Sequence, residues 1–185
     1  MAHERESFPV EVAGLKRNFP LFAVAPGVRI AIVNILGDTE LITTAAAQLA
    51  EKLRDHQGEV IITAEAKSIP LAFELGRVMG LPWVVLRKAK KPYMGETMEA
   101  ETLSITTGQP QTLYLDEKDR VWIKGRGVII VDDVISTGST LQGIQLVIEK
   151  AGGTVAARAA IFTEGDRAKW QDIVALGHLP VFAND

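Results

Sequence analysis

Two adjacent carboxylates, Asp132 and Asp133, precede a loop of hydroxyls and one glycine: Ser136, Thr137, Gly138, Ser139 and Thr140. An ionised carboxylate is a strong acceptor and can take two donors side by side, which suits sugar hydroxyls. Small residues let backbone N–H groups turn inward around a phosphate, and Ser or Thr hydroxyls add further donors. The apolar run before the pair, Val128-Ile129-Ile130-Val131, reads as a strand buried on both faces. Ser139 onward reads as a helix to about Lys150, so its positive end would face the same anion. Together these residues predict a site for a phosphorylated sugar. A strand, an acidic turn and a capped helix with no ligand would read the same way on chemistry alone. No Gly-Lys-Ser/Thr occurs, which excludes the P-loop of nucleotide triphosphatases.

Basic residues stand after two other apolar runs. Ala66-Lys67-Ser68 follows Val60–Ala64, and Arg87, Lys88, Lys90 and Lys91 follow Trp83–Leu86. A solvated loop is the plain alternative for the second group. Both groups would emerge at strand ends, where open α/β sheets bind ligands.

The four apolar residues, two aspartates, two apolar residues and Ser-Thr-Gly-Ser-Thr resemble the PRPP (phosphoribosyl pyrophosphate) signature of type I phosphoribosyltransferases. That resemblance implies that Asp132 and Asp133 bind the ribose hydroxyls and that Ser136, Thr137, Gly138, Ser139 and Thr140 cradle the 5′-phosphate. The family often has Gly where Ser139 stands here. Glu65-Ala66-Lys67-Ser68 resembles the pyrophosphate loop of adenine and related purine enzymes, a loop that is often strained or cis. Arg87-Lys88 resembles their Arg-Lys pair, which commonly reaches pyrophosphate in a neighbouring subunit. Ala66, Lys67, Ser68, Arg87, Lys88 and Lys91 are therefore the implied pyrophosphate group, with Lys67 also implied in charge stabilisation during catalysis. Gly95-Glu96-Thr97 resembles the start of the purine enzymes' flexible loop, placed at 88–108. The similarity covers roughly residues 60–165.

The implied reaction displaces pyrophosphate from C1 of PRPP by a base nitrogen, giving a nucleoside 5′-monophosphate. It implies Mg²⁺ carried with PRPP, with no dedicated protein metal site. It also implies a homodimer in which Arg87 and Lys88 reach the neighbouring site. Hypoxanthine–guanine enzymes place an aspartate at the first loop position, against purine N7. Ser136 stands there instead, so Glu99 or Glu101 is the expected base. Adenine is the first choice of substrate, ahead of hypoxanthine, guanine or xanthine. Phe22, Val24, Val28 and Phe162 are candidates for the base pocket, and 1–36 for a small hood over it. A PRPP-binding regulator that has lost catalysis is the other reading of the same motifs.

These residues must be positioned by a fold. The chain has 185 residues, a length that suits one domain over 1–185. Short apolar runs alternate with helical periodicity: after Asp38 a helix runs through Leu53, and after Ser68 another reaches Met79. The predicted class is α/β, a mostly parallel sheet flanked by helices, with an N-terminal hood and a flexible loop or hairpin. The first 20 residues read as irregular because Pro9, Gly14 and Pro20 interrupt them. Thr102–Thr106, Gln111–Leu115, Arg120–Ile123 and Thr154–Phe162 read as strands.

Net charge is −3, with 20 basic and 23 acidic residues. That balance argues against broad nucleic-acid binding, which needs a basic face. Cysteine is absent and the three histidines are far apart in sequence, so neither disulfides nor a zinc site are expected. No apolar run is long enough to cross a membrane, and the charged first residues lack a leader's apolar core. The expected setting is the cytoplasm, with a small-molecule substrate and neither nucleic acid nor membrane as partner.

Overall fold

A computed structural model describes residues 6–103 and 110–183. Its centre is a five-stranded parallel sheet. In chain order the strands are β4 (Val60–Ala64), β5 (Trp83–Leu86), β8 (Gly127–Ile135), β9 (Thr154–Glu164) and β10 (Val174–Leu179). Their spatial order is β10-β9-β8-β4-β5. All four neighbouring pairs are parallel. β4 is buried at every position, as a central strand covered on both faces must be. Helices α1 (Thr39–Leu53) and α2 (Ile69–Met79) bury Leu41, Leu49, Leu71 and Leu75 against Ile61, Ile129 and Val131 on one face. On the other, α4 (Ser139–Lys150) buries Ile144, Val147 and Ile148 against Ile62, Val128 and Ile130. The expected α/β class is what the chain forms.

Helix α1 starts where predicted: Asp38 Oδ1 accepts from Leu41 N at 3.1 Å. Arg17 fastens that cap, with Nε 2.6 Å from Asp38 Oδ2 and a second contact at 2.8 Å to Glu40 Oε2.

The first residues are not irregular. β1 (Ser7–Val12) and β2 (Leu15–Ala25) form a hairpin, and β3 (Val28–Ala31) and β11 (Phe182–Ala183) extend it into a second sheet ordered β1-β2-β3-β11. A two-residue turn at Ala13 (φ 55°) and Gly14 (φ 77°) closes the hairpin, the geometry that matches strand twist. Pro9 is accommodated because β1 is an edge strand. This curled sheet is consistent with a hood.

Arg120–Ile123 is a helical turn, α3, rather than a strand. Asp116 accepts from Lys118 N and starts a 3₁₀ turn at Glu117–Asp119 that runs into it. Val121 and Trp122 are both exposed while Ile123 is buried, a pattern without the alternation of a strand. The loop region is more ordered than expected. Pro92–Met94 forms a 3₁₀ turn, and β6 (Met98–Leu103) pairs antiparallel with β7 (Pro110–Leu115). The rest of the strand predicted at Thr102–Thr106 lies outside the described residues. β10 gave no signal because Gly177 and His178 break its apolar run. Among the described residues no helix is long and apolar enough to cross a membrane.

Candidate functional site

Parallel strands β4 and β8 are neighbours, so the loops that leave their carboxyl ends meet. β8 continues beyond the apolar run to carry Asp132 and Asp133. The loop after β4 brings Lys67 and Ser68 to them. Ser68 Oγ donates to Asp132 Oδ1 at 2.6 Å and accepts from the Asp133 N–H at 2.9 Å. Its one hydrogen is thereby used, and the further approach to Asp133 Oδ1, 3.2 Å, is only a contact. Ser68 was expected to cap α2. It stands at that position, but its side chain makes no cap bond, because the hydroxyl is turned to the aspartates.

Lys67 Nζ lies 2.7 Å from Asp133 Oδ2 and donates to the Val33 carbonyl at 3.1 Å. Asp133 is 5% exposed and Lys67 48%. The close approach is ionic rather than directional: Asp133 Oδ2 is buried without an aligned hydrogen-bond donor among the described residues. Burial, and then the neighbouring Asp133 charge, push the Asp132 carboxyl up to about 7, while the Ser68 hydroxyl pulls the other way. The peptide Glu65–Ala66 is cis.

The hydroxyl loop follows directly. Gly138 takes φ +80° at the N-cap of α4. Thr137 Oγ1 lies 3.1 Å from Ser139 Oγ and accepts from Ser139 N at 3.4 Å. Ser136 is exposed, while Thr137, Gly138, Ser139 and Thr140 are half-buried. The first N–H groups of α4 have no partner within the helix and point into this loop. A cavity of about 440 Å³ lies against it, lined by Thr137, Gly138, Leu141, Gln142 and Trp170. A side chain on Gly138 would put its Cβ 2.9 Å from Trp170 Cη2. The Trp170 indole N–H donates to the Glu164 carbonyl at 3.0 Å, which fixes the ring against the loop.

Arg87 comes to the same rim, held within its own chain. Arg87 Nε is 2.6 Å from Glu65 Oε2, and Lys88 N donates to Glu65 Oε1 at 2.6 Å. That bond to Glu65 raises the guanidinium further above its ordinary range. The Lys88 side chain is exposed and Ala66 is exposed. Lys91 begins the 3₁₀ turn and is half-buried.

Other expected residues are not brought to the cluster. Phe162 is fully buried, edge-on to Phe19 with ring centroids 5.7 Å apart, so it cannot wall a base pocket. It points inward because Gly177 on β10 leaves room for its ring. Glu99 is exposed on β6, and its carbonyl accepts from Lys150 Nζ at 2.7 Å, at the far end of α4. A 12-residue helix is about 18 Å long, so that end is well removed from the hydroxyl loop. Glu101 is also exposed, because Ala100 and Thr102 take the inward positions on the strand. Phe22 and Val24 stand on β2, each 53% exposed, and Val28 opens β3 half-buried.

A family model described as the phosphoribosyl transferase domain matches residues 33–176. The hypoxanthine/guanine phosphoribosyltransferase of Methanococcus voltae is 31% identical over 161 residues, 87% of this chain and 78% of that protein. The protein of the same name from Methanocella paludicola is 33% identical over 118 residues, 64% of this chain and 58% of its own length. Adenine phosphoribosyltransferase from Thermoanaerobacter pseudethanolicus shares the fold, with a TM-score of 0.67 at 22% identity, covering 93% of this chain and 95% of that one.

Proposed function

Since the chain belongs to the phosphoribosyltransferase family, we propose that it transfers the 5-phosphoribosyl group of PRPP to a purine base and releases pyrophosphate. The observation that carries this reading is the meeting of Lys67 and Ser68 with Asp132 and Asp133 beside the hydroxyl loop. In the proposed complex Asp132 and Asp133 accept from the ribose hydroxyls. Ser136, Thr137, Gly138, Ser139 and Thr140 hold the 5′-phosphate with the α4 N-terminus. Lys67, Lys88 and the backbone at Ala66 meet the pyrophosphate, with Arg87 and Lys91 at the rim. Displacement at C1 passes through a cation-like sugar, so the residues act by position and charge.

Among the described residues no three His, Cys, Asp or Glu side chains gather as a metal cage. The carboxylate pair suits Mg²⁺ arriving with the diphosphate, and the ion would supply charge neutralisation of the leaving group. A homodimer is part of the proposal. Arg87 is engaged by Glu65, so Lys88 is the cation left to reach a neighbouring site.

For the base, the names of the curated relatives favour hypoxanthine or guanine ahead of adenine, the choice that the Glu65–Ser68 loop suggested. Salvage of free bases in the cytoplasm is the corresponding role. The test is pyrophosphate release from PRPP and Mg²⁺ with each nucleobase in turn. Turnover with one or two purines is expected. PRPP binding without turnover on any base would sink the enzymatic reading.

A further inference from the structure

The resemblance implies an acid at the first loop position, against the imidazole side of a purine; Ser136 stands there instead, and neither Glu99 nor Glu101 is placed near that position. The neighbouring strand offers one. Ile135 pairs in register with Thr163, so Glu164 stands beside Ser136 at the carboxyl end of the parallel sheet. Glu164 is 7% exposed. Its backbone is anchored, with the carbonyl accepting from Trp170 Nε1 at 3.0 Å and Gly165 N donating to the Leu179 carbonyl at 3.1 Å. Its carboxyl has no hydrogen bond among the described residues. The side chain is mostly covered, yet the carboxyl at its tip is unpaired, and its position at the strand end points to a ligand rather than to the core.

We propose that Glu164 is the carboxylate that meets the purine imidazole edge and takes its proton, an assignment that rests on the purine transferase reading above. In the step, base N9 forms the bond to C1. The C1–O bond to pyrophosphate breaks, and its electron pair leaves on the pyrophosphate oxygen. The proton on N7 passes to the Glu164 carboxylate, so charge and atoms balance. The site is suited to this. Burial pushes the Glu164 carboxyl above its ordinary range, and the Lys67 charge opposes that shift. A carboxylate made more basic accepts a proton more readily.

Glu164→Gln keeps the shape and removes the proton acceptor. With hypoxanthine or guanine, kcat is expected to fall about 100-fold. PRPP affinity should stay within about twofold of wild type, because the ribose and phosphate groups are untouched. Glu164→Asp should recover part of kcat. Wild-type enzyme should also use 7-deazahypoxanthine far more slowly than hypoxanthine, a result independent of how well any variant folds. Equal wild-type rates on the two bases, or a folded Glu164→Gln enzyme with unchanged kcat, would overturn the assignment. Wild-type enzyme inactive on every purine would overturn the proposed function instead, so the two failures are told apart.

Discussion

Around Asp132 and Asp133 the partners lie close: Ser68 Oγ at 2.6 Å, Lys67 Nζ at 2.7 Å and the Ser68–Asp133 amide bond at 2.9 Å. On the hood strand β2, Phe22 and Val24 are each 53% exposed, and on β6 Glu99 and Glu101 face solvent. One region is assembled before any ligand arrives, and the other is open. The difference follows from where each is built. The aspartates sit on a central strand packed on both faces, whereas the hood and hairpin lie outside that sheet. Groups held by a packed sheet lose little freedom on binding, so they suit a donor substrate of fixed charge and shape.

That contrast can be broken first at Asp133. Asp133→Asn leaves Lys67 without its anion and removes a buried acceptor. Losing a charged acceptor for the ribose hydroxyls costs about 1.5–3 kcal/mol, so kcat/KM for PRPP should fall roughly 10- to 100-fold. The KM for the base should hardly move. Equal losses for both substrates in steady-state kinetics would erase the distinction between the two regions.

Gly138→Ala should have the next largest effect. A Cβ there meets Trp170 Cη2 at 2.9 Å, on a residue at φ +80°. The loop must shift, and the KM for PRPP should rise about tenfold, roughly 1.4 kcal/mol. Binding of a 5′-phosphorylated sugar, measured by calorimetry, should weaken to a similar degree. Unchanged binding would show that the loop is not held by Trp170.

Ser68→Ala sharpens the comparison through pH. Asp132 is pushed up to about 7 by burial and by Asp133. Between the ordinary aspartate range and that value the folded state binds more protons than the unfolded chain, so the group lowers stability as pH rises. Its use as an acceptor needs the charged form, so PRPP affinity should strengthen as pH rises through about 7. The Ser68 hydroxyl favours the charged form. Without it the midpoint should move to higher pH, with affinity at pH 7 reduced a few-fold. A midpoint that stays in place would rule out Asp132 as the titrating group.

The assembled region was also the legible one. Strand β8, its aspartates, the hydroxyl loop and helix α4 follow from local patterns: an apolar run, small residues, then helical periodicity. The partners that meet there from distant sequence were not readable by pattern. The Ser68–Asp132 bond spans 64 residues, and periodicity alone makes Ser68 an ordinary helix cap. Resemblance to a loop, rather than periodicity, brought Lys67 and Ser68 into view, and as pyrophosphate residues rather than partners of the aspartates. Phe162 was misplaced because an aromatic at the end of a strand looks the same whether it turns inward or outward. Gly177, on another strand, makes the room that turns it inward. Glu164 was not singled out as a base because one glutamate after a strand carries no spacing signal. Only register with β8 sets it beside Ser136. The strands of the hood were missed because prolines read as breaks, although an edge strand tolerates them.

The smallest expected effect tests how the open region is fastened to the closed one. Arg17 on β2 holds Asp38, which caps α1. Asp38→Ala removes the cap and the ion pair together, and cap loss alone costs about 1 kcal/mol. Thermal unfolding should shift down by a few degrees. The hydrogen bonds from the Arg17 guanidinium hold the Asp38 carboxyl below its ordinary range. Its contribution is therefore present above the unfolded aspartate pKa and lost as pH falls through the folded value. The gap in melting temperature between wild type and variant should accordingly be full at pH 7 and shrink in acid. PRPP affinity should be unchanged, because Ser68 and the aspartates are anchored by the central sheet, and the one tie of Lys67 to the N-terminal segment, the Val33 carbonyl, does not involve Asp38. A fall in PRPP affinity in this variant would mean that the hood helps to assemble the donor side, and that the two regions are one.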